Sequence, residues 1–131
     1  MKIGVYSKNK ILKTMSHWEV PKEFAEPMYN YLVHGFNPGS CFSAVLANDF
    51  RRAILASHPA NSIQGFKALA GWIAESVPRE ARGDYNNVDV WCSLPDHVRR
   101  TTLEDHELIY TEAEEVWMTL KSESTVEPVL Y

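Results

Sequence analysis

"PGSCFSAVLANDF", residues 38 to 50, is the stretch whose reading decides the fold. Pro38 and Gly39 are turn chemistry, Ser40 is a candidate helix cap, and the apolar residues that follow recur at helical spacing. On a wheel of about 100° per residue centred on Phe42, the residues Val45, Leu46, Phe50, Ala53 and Ala56 fall within about 80°. Asp49 falls inside the same arc. Ala44, Ala47, Ile54 and Leu55 occupy the opposite side. The spacing therefore predicts one long helix, residues 41 to about 57, apolar nearly all round and hence central. A carboxylate in such a helix must be hydrogen-bonded. The expected partners of Asp49 are backbone N–H groups near Ser62 or in the loop at 83–85, or the side chains of Arg79 or Arg82. Asn48, Asp49, Arg79, Arg82 and Gly83 thus form a candidate polar centre. The alternative reading of the same residues is a perturbed acid lining a small-ligand or catalytic pocket.

Punctuation on either side sets the rest. Upstream, "SHWE" (Ser16, Glu19) fits a capping box, and a helix is predicted over 21–34, closed by Gly35. Pro27 either kinks that helix or restarts it. Downstream, Asn61 or Ser62 caps a third helix ending at Pro78, with Ile63, Phe66, Ala70, Ile73 and Val77 on its main face and Trp72 off it. A short helix at 88–92 follows. Another starts at Ser93 with Pro95 just inside, and runs to about 109. "TEAE" (Thr111, Glu114) is a capping box for a last helix reaching about 121. The whole is expected to be all-α: a compact domain of five or six short helices over 16–121, a basic arm or strand over 1–15, and a loosely held tail over 122–131. The second methionine, Met15, leaves open that the residues before it are an upstream extension.

Composition bounds the function classes. The 131 residues suit one domain, with 45% hydrophobic and 23% charged residues. No apolar run approaches the ~18 residues of a spanning helix, and no signal-like apolar region opens the chain, so the expectation is a cytoplasmic protein without membrane partners. Cys41 and Cys92 make no disulfide framework. Neither they nor the five histidines have metal-ligand spacing. No phosphate loop, HExxH or CxxC is present, so neither cofactor nor metal is expected. Net charge is −4. Residues 1–14 carry Lys2, Lys8, Lys10 and Lys13 and no acid, whereas residues 101–131 carry eight acids against Lys121. Nucleic acid is a less favoured partner than protein, because the basic residues lie only on the short arm.

A resemblance adds to this reading. Pro38, Gly39, Phe42, Ala44, Val45, Leu46, Asn48 and Asp49, then Asn61, Pro78, Gly83 and Trp91, resemble a pattern in small uncharacterised proteins of tailed bacteriophages and prophages. Phe50 stands where that pattern has Leu, and Asp84 where its turn has Ser. The match spans residues 35 to 91. It implies phage origin and a bacterial host cytoplasm, and no chemistry. Together these observations favour a phage accessory protein that binds a host or phage protein, for example to inhibit a defence or metabolic protein. Trp72, Tyr110, Glu112, Glu115 and Trp117 are the candidate contact residues. Self-association is a further possibility of the same kind.

Overall fold

The computed structural model describes residues 2–57, 63–111, 114 and 117–119. The fold is all-α, with one short antiparallel ribbon. Strand β1 (Lys2–Gly4) runs into α1 (Val5–His17). A 3-10 turn (Lys22–Phe24), α2 (Ala25–Tyr29) and a wide π-helical turn (Asn30–His34) form one continuous coil. Then come α3 (Ser40–Leu46), α4 (Phe50–Ala56), α5 (Ile63–Ser76), a 3-10 turn (Arg79–Ala81), α6 (Tyr85–Ser93) and α7 (Asp96–Asp105). Strand β2 (Trp117–Thr119) pairs back on β1, with Ile3 opposite Met118. No helix among the described residues is long and apolar enough to cross a membrane.

The core draws on every helix. Ile11, Met15, Met28, Leu32, Leu46, Phe66, Leu69, Trp72, Val88, Trp91 and Leu103 are all buried. α1 packs on α2 and α5, α3 on α5 and α6, and α7 on the π-helical turn.

Two expectations about the first third hold. Gly35 closes the second coil in the left-handed conformation (φ 72°) that glycine adopts at least cost. Pro27 sits in the first turn of α2, where helix N–H groups lack intrahelical partners and a proline loses nothing. The short strand is present as β1, but the arm extends no further: from Val5 onward the chain is α1, burying Ser7, Ile11 and Met15 one turn apart. Ser16 therefore caps nothing. It lies in the last turn of α1, its hydroxyl bonded back to Lys13 O at 2.8 Å, and Glu19 turns left-handed (φ 58°) beyond the helix end.

The predicted 41–57 helix is two helices. Asn48 takes a left-handed conformation (φ 66°) and ends the first, and Asp49 caps the second. Asn and Asp are suited to these two tasks, and here local chemistry outweighed the apolar wheel. Gly39, at φ 96°, stands in the cap position of α3 where Ser40 was expected. Ser93 is likewise the last residue of α6, so the N-cap of α7 is Pro95.

The last predicted helix is also overturned. The Thr111 N–H and hydroxyl both donate to Glu114 Oε1, at 3.1 and 3.0 Å, so the local turn forms. Residues 117–119 are nevertheless strand, because β1 offers them a ladder. A three-residue pair is marginal by itself. Here the Tyr110 N–H also donates to Ser7 Oγ at 3.0 Å, holding this end of the chain on α1.

Candidate functional site

The polar centre around Asn48 and Asp49 is a structural junction. Asp49 Oδ1 accepts the Arg52 N–H at 3.3 Å, capping α4, and Oδ2 accepts the Tyr85 hydroxyl at 2.8 Å from the start of α6. The Gly83 N–H donates to Leu46 O at 2.8 Å, so the loop before α6 closes onto the C-terminal end of α3. Gly83 has φ 112°, which favours glycine at this approach. Asp84 Oδ1 caps α6 through the Asn87 N–H at 2.8 Å. Neither arginine pairs with Asp49 in any contact of the junction. Arg82 turns to the end of α5, donating to Val77 O at 2.9 Å and Ala74 O at 3.5 Å, where a cation suits the helix dipole. Arg79 lines a separate shallow depression with Glu75, Glu80 and His106.

Beside this junction lies a depression of about 330 Å³ lined by Asn37, Ser40, Ser43, Arg52, Tyr85 and Asp89. The Asp49 carboxylate is not among its lining residues and is already engaged by one backbone N–H and one phenol. The geometry assigns it a capping and docking task, close to the first of the two sequence readings.

Splitting the helix has a second consequence. α4 buries only Ala53. Leu55 lies about 160° from Ala53 on the wheel and points to solvent, with 78% of its surface exposed. Ile54 and Phe50, about 100° and 140° round the helix from Leu55, are 48% and 42% exposed. Arg51 and Arg52 are exposed on the same helix. Sequence periodicity missed this surface because the wheel assigned Phe50 to the core of a longer helix.

The aromatic candidates separate. Trp72 is fully buried, its Nε1 donating to Thr14 Oγ1 at 2.9 Å, so it is not an exposed anchor. The stripe that α5 buries is Gly65, Phe66, Leu69, Trp72 and Ile73, while Ile63 is 70% exposed. Tyr110 is half-buried at the side of α1, and Trp117 lies in β2. Glu112 and Glu115 lie outside the described residues, as does the tail beyond 119. Trp18, which packs across Gly71 and donates to Glu75 Oε1 at 2.9 Å, replaces Trp72 as the part-exposed indole on this side.

The titratable interior is small. Burial pushes the thiols of Cys41 and Cys92 above the ordinary range, which favours the neutral form. Cys41, although in the first turn of α3, donates weakly to Ala53 O at 3.5 Å. Among the described residues, no group of three or more His, Cys, Asp or Glu is placed to hold a metal ion.

Burial lowers the pKa of His34. Asp96 opposes this, while Arg99 and Lys8 reinforce it. The unfolded chain then binds this proton at higher pH than the folded one. The stability contribution is complete above the unfolded value of about 6.5 and declines as pH falls through it. Thermal melts between pH 7 and 5 are expected to show a falling Tm, with His34→Gln flattening that slope. Parallel slopes in the two proteins would remove His34 as its source.

Comparisons with protein-family models, curated proteins and solved structures returned no match.

Proposed function

We propose that this chain is a phage accessory protein that acts in the host cytoplasm by binding another protein through α4. The exposure of Phe50, Ile54 and Leu55 on a helix that buries a single alanine is the observation that carries this reading. Apolar side chains left outside on a short helix gain little from folding itself and can serve as anchors for a partner. Arg51 and Arg52, which stand on either side of Leu55 on the wheel, suit a partner surface that sets acidic groups beside apolar ones. α4 is only about 10 Å long, and a specific interface buries roughly 800 Å² per partner. The surface therefore extends past Arg52 to the half-exposed Tyr85, which shares a depression with it. The motif over residues 35 to 91 supports phage origin, and inhibition of a host defence or metabolic protein is the mode of action that fits a small binding domain. A catalytic pocket around Asn48 and Asp49 has less support, because the capping bonds already use Asp49.

Capture from host lysate with the parent chain and with Leu55→Asp tests the proposal. Leu55 touches solvent, so the variant is expected to fold, which circular dichroism checks. Loss of a stoichiometric partner, with affinity at least thirtyfold weaker as for an interface hot spot of about 2 kcal/mol, is the expected result. Identical captures by the two proteins, or no stoichiometric partner for either, would sink the reading. Sedimentation of both proteins covers the case in which the partner is a second copy.

A further inference from the structure

The lysines of the N-terminal segment acquire a new arrangement once that segment is α1. Lys8 leaves the set: its ammonium pairs with Glu26 at 3.3 Å and sits 5.3 Å from the centre of the Tyr29 ring. Tyr6, Asn9, Lys10, Lys13, Thr14 and His17 fall at spacings of three and four, on one face of α1. They form one wall of a groove of about 490 Å³, and Tyr110 forms the other.

The groove is built before any ligand arrives. Tyr110 is fixed at both backbone groups, its N–H donating to Ser7 Oγ at 3.0 Å and its carbonyl accepting from Arg100 Nη2 at 3.1 Å. Its ring holds the Lys10 ammonium 4.5 Å from the centroid, so this charge is positioned at the wall. The Tyr6 ring meets Tyr110 edge-on at 6.1 Å and is half exposed, which leaves aromatic surface open to the groove. Lys13 and His17 continue the face and are exposed.

We infer that this groove binds a short stretch of single-stranded nucleic acid, with Lys10 and Lys13 on phosphates and Tyr6 beneath a base. A cationic track beside a part-exposed aromatic ring, here Tyr6, is a combination that single strands use, because their bases are free to stack. A duplex keeps its bases inside the stack and can use only the charges. The inference is independent of the α4 reading and uses none of its residues. Among the described residues, Glu114, held by Thr111 near Lys10, opposes the charge of that lysine.

The test titrates the full chain with fluorescein-labelled dT12 at 50 mM salt and upwards. With two or three phosphates engaged, affinity is expected on the order of micromolar or weaker, and the log–log salt slope about −1.4 to −2.1. Lys10→Ala combined with Lys13→Ala should reduce the magnitude of the slope by about 1.4. Tyr6→Ala should weaken binding about tenfold and leave the slope unchanged, because stacking releases no counterions. Lys67→Ala, at an exposed lysine on α5, should change nothing, and circular dichroism confirms that each variant is folded. If the double variant is unfolded, Lys13→Glu at its exposed site takes its place and should abolish binding. Absence of binding at 50 mM salt overturns the proposal. So does binding that ignores these substitutions, or equal binding of a duplex or of a glutamate peptide of the same length.

Discussion

Replacing Arg99 with methionine is expected to lower the melting temperature by about 10–15 °C, for a loss of about 3–5 kcal/mol. Arg99 is 2% exposed, and its guanidinium joins two elements. It donates to Val33 O at 3.3 Å in the π-helical turn, to Trp91 O at 3.4 Å and to Leu94 O at the end of α6, and it contacts the Asp96 carboxylate. Methionine nearly keeps the volume but has no donor, so the Val33 and Leu94 carbonyls lose the guanidinium at about 1–3 kcal/mol each, while the Trp91 carbonyl keeps the Leu94 N–H. Lysine would restore only part, because a single ammonium cannot span the same fork. Gly35 is coupled to this site: a Cβ there would lie 2.6 Å from Arg99 Nη1, and φ is already 72°. Gly35→Ala should therefore cost less in the Arg99→Met background than in the parent, by more than about 0.5 kcal/mol in a double-mutant cycle. Urea and thermal melts read both effects. A methionine variant melting within about 2 °C of the parent would show that the carbonyls find other partners.

Trp72→Ala should cost about 3–5 kcal/mol, the range for emptying a large aromatic site in a core. Trp72 has no exposed surface, and it links α5 to α1 through its bond to Thr14. Trp72→Phe should cost less, since it keeps most of the packing and Thr14 retains its own bond to Ile11 O at 2.7 Å. Near-ultraviolet dichroism together with urea melts separates the two variants. A Trp72→Ala protein of parental stability that has lost only a binding partner would return this residue to the surface role first read from its place off the Ile63 stripe.

The error at Trp72 shows where pattern reading stops. α5 carries apolar residues on most of its circumference, so several stripes fit its spacing almost equally well. Which stripe faces inward depends on α1 and α3, which lie far away in sequence. α1 was missed for a related reason. Its inward residues are Ser7, Ile11 and Met15, a thin stripe that gains meaning only when α2 and α5 cover it. The Asn48–Asp49 break was legible and was outweighed: two residues with strong preferences for a left-handed end and a helix start stood inside an apolar wheel.

The sequence by itself determined the all-α class, the stops at Gly35 and Pro78, and the need for the Asp49 carboxylate to be bonded. These depend on interactions within a turn or two of each residue: backbone conformation, capping, and the absence of a proline N–H. The break expected at Tyr110 comes earlier, because α7 ends at Asp105. Only the tertiary structure decided which face of α5 is buried, that residues 117–119 join a ribbon, and that α4 lies nearly bare. It also brought the lysines of the first helix alongside Tyr110. Each of these depends on contacts between segments distant in the chain, and local preference is too weak, at tenths of a kcal/mol per residue, to choose among them.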